Sequence, residues 1–267
     1  MAHSRSRRIL VRRHDDGSTR RAPDAVAVEE PLEIRLDGHV VATTMRTPGD
    51  DHDLGVGFAV AEGLLDGVRL HGVRSCGLGL DERAAFNIVD LSTGGTAPVP
   101  TPRLTTTTAA CGVCGSASVD DLIARLRPLE GTTPIPVDVL VGVAERVRPA
   151  QELFALTGGV HAAAAFTPDG APVLVREDIG RHNAVDKVVG RLHVGGALPA
   201  AGLGLYVSGR AGFEIVQKAW AAGFGTVVAV GAPTSLAVEV ARTAGITLAA
   251  FLRPGGINVY SPAAPAG

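Results

Sequence analysis

Two of the chain's three cysteines, Cys111 and Cys114, are separated by two residues inside Thr108-Ala109-Ala110-Cys111-Gly112-Val113-Cys114-Gly115. The run that follows, Ser118 to Leu126, reads as a helix. Ser118 is a suitable N-cap, Asp121 falls at the third helical position, and Val119, Leu122, Ile123 and Leu126 share an apolar face. Cysteines on a glycine-flanked loop ahead of a helix N-terminus sit in partial positive charge, which favours the thiolate. A thiolate can exchange with a disulfide, ligate a metal or carry a sulfane sulfur as a persulfide. The residues leave these three chemistries open beside a fourth reading, two cysteines with no chemistry. A structural zinc needs four ligands, and only Cys76 and distant histidines could complete the set. A deaminase-type zinc site would show His-x-Glu and Pro-Cys-x-x-Cys. No histidine here is followed two residues on by glutamate, and Ala110 precedes Cys111.

A second concentration of chemistry is Arg176-Glu177-Asp178-Ile179-Gly180-Arg181-His182-Asn183, at a strand-to-helix junction. Asp178 alone is explained as a helix cap. Arg176, Arg181, His182 and Asn183 together suggest a site for an anionic or polar ligand, with His182 either a proton carrier or a helix-start donor. Three further loops each follow a strand. They are Ser208-Gly209-Arg210-Ala211-Gly212, Gly231-Ala232-Pro233-Thr234-Ser235, and Phe251-Leu252-Arg253-Pro254-Gly255-Gly256. Free backbone N–H groups, a hydroxyl and arginines at one edge of a parallel sheet suit phosphate. Together the loops predict a crevice for a large phosphorylated ligand such as a nucleotide-bearing cofactor. His161, alone in an apolar strand after Gly158-Gly159, reads first as a satisfied core histidine. Cys76 reads as a buried, inert thiol.

These residues need a frame. Leu32 to Leu36 and His39 to Thr43 form a hairpin around the type I′ signal Asp37-Gly38. Asp51 to Leu65 reads as a helix whose Gly55 and Gly57 point to close backbone packing. Ala85–Val89 is a strand, and Asp138 caps a helix that ends before Pro149. Val160–Phe166 and Pro172–Glu177 form a second hairpin, and Ile179–Leu192 is a helix. Strands at 203–207, 226–230 and 247–252 alternate with helices at 213–222 and 235–244, so these strands are expected to be parallel with right-handed crossovers. Asn258–Tyr260 adds a final strand. The fold class is α/β, in three layers, with a smaller N-terminal subdomain. Residues 1–28 read as a basic, flexible tail with one short strand around Arg8–Arg12. Such a tail is usually only solvated; its sharper use would be to dock an acidic partner.

The totals narrow the classes. A net charge of −2 and 4% aromatic residues argue against a nucleic-acid binder. An odd number of cysteines does not make a disulfide framework, so a reduced, cytoplasmic setting is expected. There is no stretch of 18 apolar, charge-free residues, so no membrane span is expected.

The motifs in their order resemble the FdhD family, sulfur carriers required for formate dehydrogenase activity. The resemblance runs from Glu30 to Tyr260. It rests on Thr47-Pro48, Gly57-Phe58, Glu62-Gly63, Cys111-Gly112-Val113-Cys114-Gly115, Thr157-Gly158-Gly159-Val160-His161, Arg176 to Lys187, Ser208-Gly209-Arg210 and Ala232-Pro233-Thr234-Ser235. It implies a cytidine-deaminase-like mixed sheet without the deaminase zinc, a homodimer, and transfer of sulfur from a cysteine desulfurase to the molybdenum bis(molybdopterin guanine dinucleotide) cofactor. Cys111 is similar to the family's persulfide-bearing cysteine and Cys114 to its partner. Phe251, Leu252, Arg253, Pro254, Gly255 and Gly256 fall where the family binds the cofactor, with Ser208, Gly209, Arg210, Arg176, Arg181 and His182 as further contacts. On this reading residues 29–128 form an N-terminal subdomain ending in the cysteine loop and its helix, and residues 129–267 an α/β cofactor-binding domain. A cofactor-binding chaperone without persulfide chemistry is the competing class.

Overall fold

The computed structural model describes residues 4–76, 87–99, 126–132 and 134–261. Cys111, Cys114 and all but the last residue of the helix expected at 118–126 lie outside these.

The larger sheet has six strands in the order β12-β11-β10-β9-β7-β8. Its centre is β9 (Gly204–Val207), β10 (Thr226–Ala229) and β11 (Thr247–Arg253), mutually parallel as expected. On one side β12 (Gly256–Ser261) returns antiparallel to β11. On the other, the hairpin of β7 (His161–Phe166) and β8 (Pro172–Asp178) joins β9 through β7. Period-two alternation assigns the strand residues to two cores. Leu205, Val207, Val227 and Leu248 face a core shared with helices α4 (Arg181–Val194), α5 (Phe213–Ala221) and α6 (Ser235–Ala244). Tyr206, Val228, Ala249 and Phe166 face Leu140, Val143 and Val147 of helix α2 (Val137–Val147). The result is three layers.

The smaller sheet runs β4-β3-β6-β5, from β3 (Glu30–Leu36), β4 (His39–Arg46), β5 (Gly72–Cys76) and β6 (Ile88–Ser92). The β3–β4 turn has Asp37 and Gly38 both at positive φ, 48° and 83°, as a type I′ turn demands. Helix α1 (Asp51–Ala61) connects the two sheets. Leu54, Val56 and Ala59 pack into the small sheet's core, while a Cβ on Gly57 would overlap the Asp186 carbonyl of α4. Gly190 of α4 sits equally tightly on the Asp53 carbonyl. The two helices therefore touch backbone to backbone, which is the close packing the helical glycines announced.

Several expectations are corrected. Over residues 4–28 the expected tail with one short strand is instead a two-stranded hairpin. Strand β1 (Ser6–Asp15) pairs along its whole length with β2 (Ser18–Ala27). Asp16 and Gly17, at φ 47° and 78°, make the same kind of turn as Asp37-Gly38. The strands were hidden because arginines interrupt the apolar alternation. The strand expected at 85–89 is β6, shifted to 88–92. Asp138 does not cap α2, which starts after Pro136 and carries Asp138 within its first turn, still favourable toward the helix dipole. Asp178 is not the N-cap of α4, because Gly180 holds that position.

Candidate functional site

The carboxyl ends of β9 and β11 and the amino end of the antiparallel β7 open onto one cavity of about 830 Å³. Its opposite wall is α2 with the 3-10 turn Arg148–Ala150. At its mouth stands helix α3 (Glu152–Thr157), through Phe154. The β11–β12 turn overhangs it. Arg253 and Gly256 are cross-strand partners around Pro254-Gly255, and Gly255 at φ 73° suits the third position of a type II turn. Just before it Phe251 holds φ 61°, a left-handed backbone that an aromatic residue adopts only when its surroundings impose it.

Of the candidate ligand residues, Ser208, Leu252, Arg253, Pro254 and Gly255 line this cavity. Arg253 is exposed, and its Nη1 donates to the Phe251 carbonyl at 2.9 Å and to Asn258 Oδ1 at 3.3 Å. Ser208 is locked to β7: its N–H donates to the Ala162 carbonyl, and its Oγ accepts from the Ala162 N–H, both at 2.9 Å. That leaves the hydroxyl proton for His161 Nδ1, 3.4 Å away. His161 lines the cavity too, so it is not the core histidine expected from its strand. Burial, and then the Arg181 charge, push its pKa down, against the opposing pull of Asp178. At neutral pH it is an uncharged donor and acceptor. Tyr206 lies on the floor, its phenol pushed by burial up to about 12 and therefore neutral. His161, Tyr206, Arg148, Glu145 and Gln151 are the polar lining residues that sequence reasoning missed. The double glycine before His161 was the available signal, since it opens the chain beside that strand end.

The remaining candidates are placed elsewhere. Gly209 is buried against Arg181 and His161; a Cβ there would come within 3.1 Å of Arg181 Cδ and 3.5 Å of His161 Cε1. Arg181, half-buried, is pushed down by burial and by the neighbouring Arg210. Arg210 is exposed. The 231–235 and 208–212 loops are joined by three amides, two from the first loop and one from the second. Gly231 N–H donates to Gly209 O, Ala211 N–H to Ala232 O and Thr234 N–H to Ala211 O, at 2.9, 3.2 and 3.1 Å. These backbone donors are therefore not available to a phosphate, contrary to expectation. His182 Nε2 lies 3.0 Å from Glu214. Arg176 points away from the cavity toward α1, 3.1 Å from Asp53 and 3.5 Å from Asp50.

Much of the polar stretch around Arg176 is internal scaffold. Glu177 accepts the Leu153 and Phe154 N–H groups at 2.9 and 2.7 Å, holding the start of α3. Asp178, fully buried, meets Lys187 Nζ at 2.8 Å and accepts from Thr47 N–H and Gly180 N–H. Lys187 also donates to the Thr47 carbonyl at 2.9 Å, and Asn183 to the Met45 carbonyl at 2.8 Å. The network ties the end of β4 to β8 and α4. Asp186 pairs with Lys218 at 2.7 Å.

No group of three or more His, Cys, Asp or Glu side chains among the described residues is placed to hold a metal ion. No helix among them is long and apolar enough to cross a membrane.

The sequence model of the FdhD/NarQ family matches residues 27–265. A protein of Streptomyces coelicolor named sulfur carrier protein FdhD is 46% identical over 271 aligned positions, covering 98% of this chain and 96% of the relative. A protein of the same name from Anaeromyxobacter dehalogenans is 49% identical, covering 89% and 87%. A crystal structure described as that of a formate dehydrogenase accessory protein from Desulfotalea psychrophila shares the fold, with TM-score 0.78 at 24% identity over 98% of both chains.

Proposed function

The chain belongs to the FdhD/NarQ family, and on that premise we propose that it is a sulfur carrier serving formate dehydrogenase. The observation that carries the reading is the near-full-length match to relatives named sulfur carriers, in a chain that holds Cys111-Gly112-Val113-Cys114-Gly115. The Cys111 thiolate attacks the terminal sulfur of a persulfide on a cysteine desulfurase. A new S–S bond forms at Cys111, the donor's S–S bond breaks, and the donor cysteine leaves as thiolate. For delivery as sulfide, Cys114 attacks the inner sulfur of the Cys111 persulfide. Hydrosulfide leaves, the two cysteines become a disulfide, and a cellular dithiol reduces it afterwards.

The acceptor in this proposal is the molybdenum bis(molybdopterin guanine dinucleotide) cofactor, a client and not a resident group. The cavity supports the reading by size and chemistry. About 830 Å³ with largely apolar walls, two arginines against the single carboxylate of Glu145, and an exposed turn suits one nucleotide end. Ser208, His161 and Arg253 would hold it. A homodimer would present two such cavities, one for each guanine end. The setting would be the cytoplasm, where thiols stay reduced.

The test is intact mass after incubation with a cysteine desulfurase and cysteine, for wild type, Cys111→Ala and Cys114→Ala. The expected result is a reductant-sensitive gain of one sulfur that is lost with Cys111. No gain in any form, with guanosine diphosphate still bound, would replace the carrier by a cofactor chaperone.

A further inference from the structure

The amino-terminal hairpin has two unlike faces. Paired residues of antiparallel strands point to the same side, so Ser6, Arg8, Leu10, Arg12 and His14 share one face with Thr19, Arg21, Pro23 and Ala25. The other face holds the buried Ala22, and both strand aspartates lie on it with their partners. Asp15 meets Arg20 at 3.3 Å, and Asp24 meets Arg13 at 3.7 Å. The Leu10 face carries no carboxylate. On it Arg8, Arg12 and Arg21 are exposed around Leu10, itself 74% exposed. Arg12 and Arg21 are direct cross-strand partners, an arrangement that repels, in a two-stranded ribbon with little stability of its own. The hairpin also sits beside the cavity. Strand β2 packs on α3, whose Phe154 stands at the mouth, and Ala27 abuts Gly159 of the cavity lining. Arg5, just before β1, lies 3.7 Å from Glu177, which holds the start of α3.

We propose that the Leu10 face of the hairpin is a docking surface for a carboxylate-rich patch on the client enzyme, with Leu10 as its apolar anchor. The identity of the occupant rests on the sulfur-carrier reading. Arginines around one exposed aliphatic side chain give the layout of an interface, an apolar centre with a polar rim, and arginine is a residue type enriched there. An acidic partner would relieve the Arg12–Arg21 repulsion, and a protein seated there would stand on a hairpin that packs against α3 and Gly159, two elements of the cavity border. The gain from such charges is mainly in association rate and partner choice, and it is salt-dependent.

The experiment measures binding of the full-length protein to the apo formate dehydrogenase of the same organism and, in parallel, to its cysteine desulfurase, by surface plasmon resonance from low to high salt. Arg8→Glu/Arg12→Glu/Arg21→Glu should weaken dehydrogenase binding by about tenfold or more at low salt, mostly in association rate, with the difference closing as salt rises. Desulfurase binding should stay within about twofold. Arg12→Glu alone is the decisive variant. Opposite Arg21 it replaces repulsion by attraction, so it should raise the unfolding midpoint, or leave it unchanged, while weakening docking; a purely structural role would move the two together. Unchanged dehydrogenase binding, or none in the wild type, overturns the proposal. So does a loss confined to the desulfurase, or a change of molar mass in light scattering that marks a second copy as the occupant. The persulfide mass assay separates the two readings. Loading without charge-dependent docking sinks only the docking surface, and docking without loading sinks only the carrier chemistry.

Discussion

The stretch from Arg176 to Lys187 and the rim of the cavity use the same residue types in opposite circumstances. In the first, the polar groups face one another. Asp178, Lys187 and Asn183 are buried and meet Thr47, Gly180 and Met45 within hydrogen-bond distance. In the second, Ser208, His161 and Arg253 border an open space of ligand size. Density of charge along a sequence therefore marks a demand for partners. Whether the partner is internal or external is decided by what the fold brings opposite, and here the denser stretch is spent on joining the two sheets.

The hardest way to break that contrast is to remove one buried charge. Lys187 is fully buried, and its ammonium meets the equally buried Asp178. Lys187→Met would leave a carboxylate in the interior without its cation, which costs about 3–5 kcal/mol. Urea unfolding measures this, and a loss below about 1 kcal/mol would show that the network does not hold the sheets together. Next in size is Gly57→Ala. In an exposed helix that change gains about 1 kcal/mol. Here the added methyl overlaps the Asp186 carbonyl, so helix α1 must retreat from α4, and a loss of about 1–3 kcal/mol is expected. Gly142→Ala in α2 is the control. Its Cβ would meet nothing nearer than the flexible Arg146 guanidinium at 3.8 Å, and the same urea unfolding measurement should show it neutral or stabilised.

These substitutions also mark what was legible. The parallel strands, the alternation that sorts their residues, the Asp37-Gly38 turn and the α1 glycines were all readable, because each is a local signal with one geometric meaning. The amino-terminal hairpin was not. Its Asp16-Gly17 turn was present, but Arg7, Arg8, Arg12 and Arg13 masked the strand pattern. Arg176 and Arg253 could not be told apart either. Both are arginines at the carboxyl end of a strand, and only the fold places Asp53 before one and a cavity before the other. His161 was misjudged for the same reason, since an apolar strand says nothing about what lies beyond its end.

A finer test concerns Asp186. It is fully buried, and desolvation pushes its pKa up to about 6 despite the Lys218 ammonium, with Glu62 and Glu214 adding to the rise. An acid whose folded pKa lies above its unfolded value near 4 binds protons more tightly when folded. Its contribution to stability therefore falls as pH rises from about 4 to about 6 and is level beyond. Asp186→Asn lacks this titration. The stability of the wild type relative to that variant should decline across this window and then flatten, as read by urea unfolding at a series of pH values. A difference that rises with pH would mean that the Lys218 pair outweighs burial.

The smallest effect on stability is expected where the effect on binding is largest. Arg253 is exposed at the turn over the cavity. Arg253→Ala should change stability by no more than about 0.5 kcal/mol, because the groups it releases, the Phe251 carbonyl and the Asn258 amide, are within reach of water. The same variant should weaken guanosine diphosphate binding by about tenfold in titration calorimetry, the worth of one charge-assisted contact to phosphate. Arg176→Ala is its counterpart, drawn from the same residue type and strand position. It should leave nucleotide affinity unchanged and lower stability, since it strips Asp53 of its partner at the α1–β8 contact. If Arg176→Ala weakened the nucleotide instead and Arg253→Ala did not, the ligand would lie on the α1 side of the sheet, and the assignment of scaffold and site to these two regions would have to be exchanged.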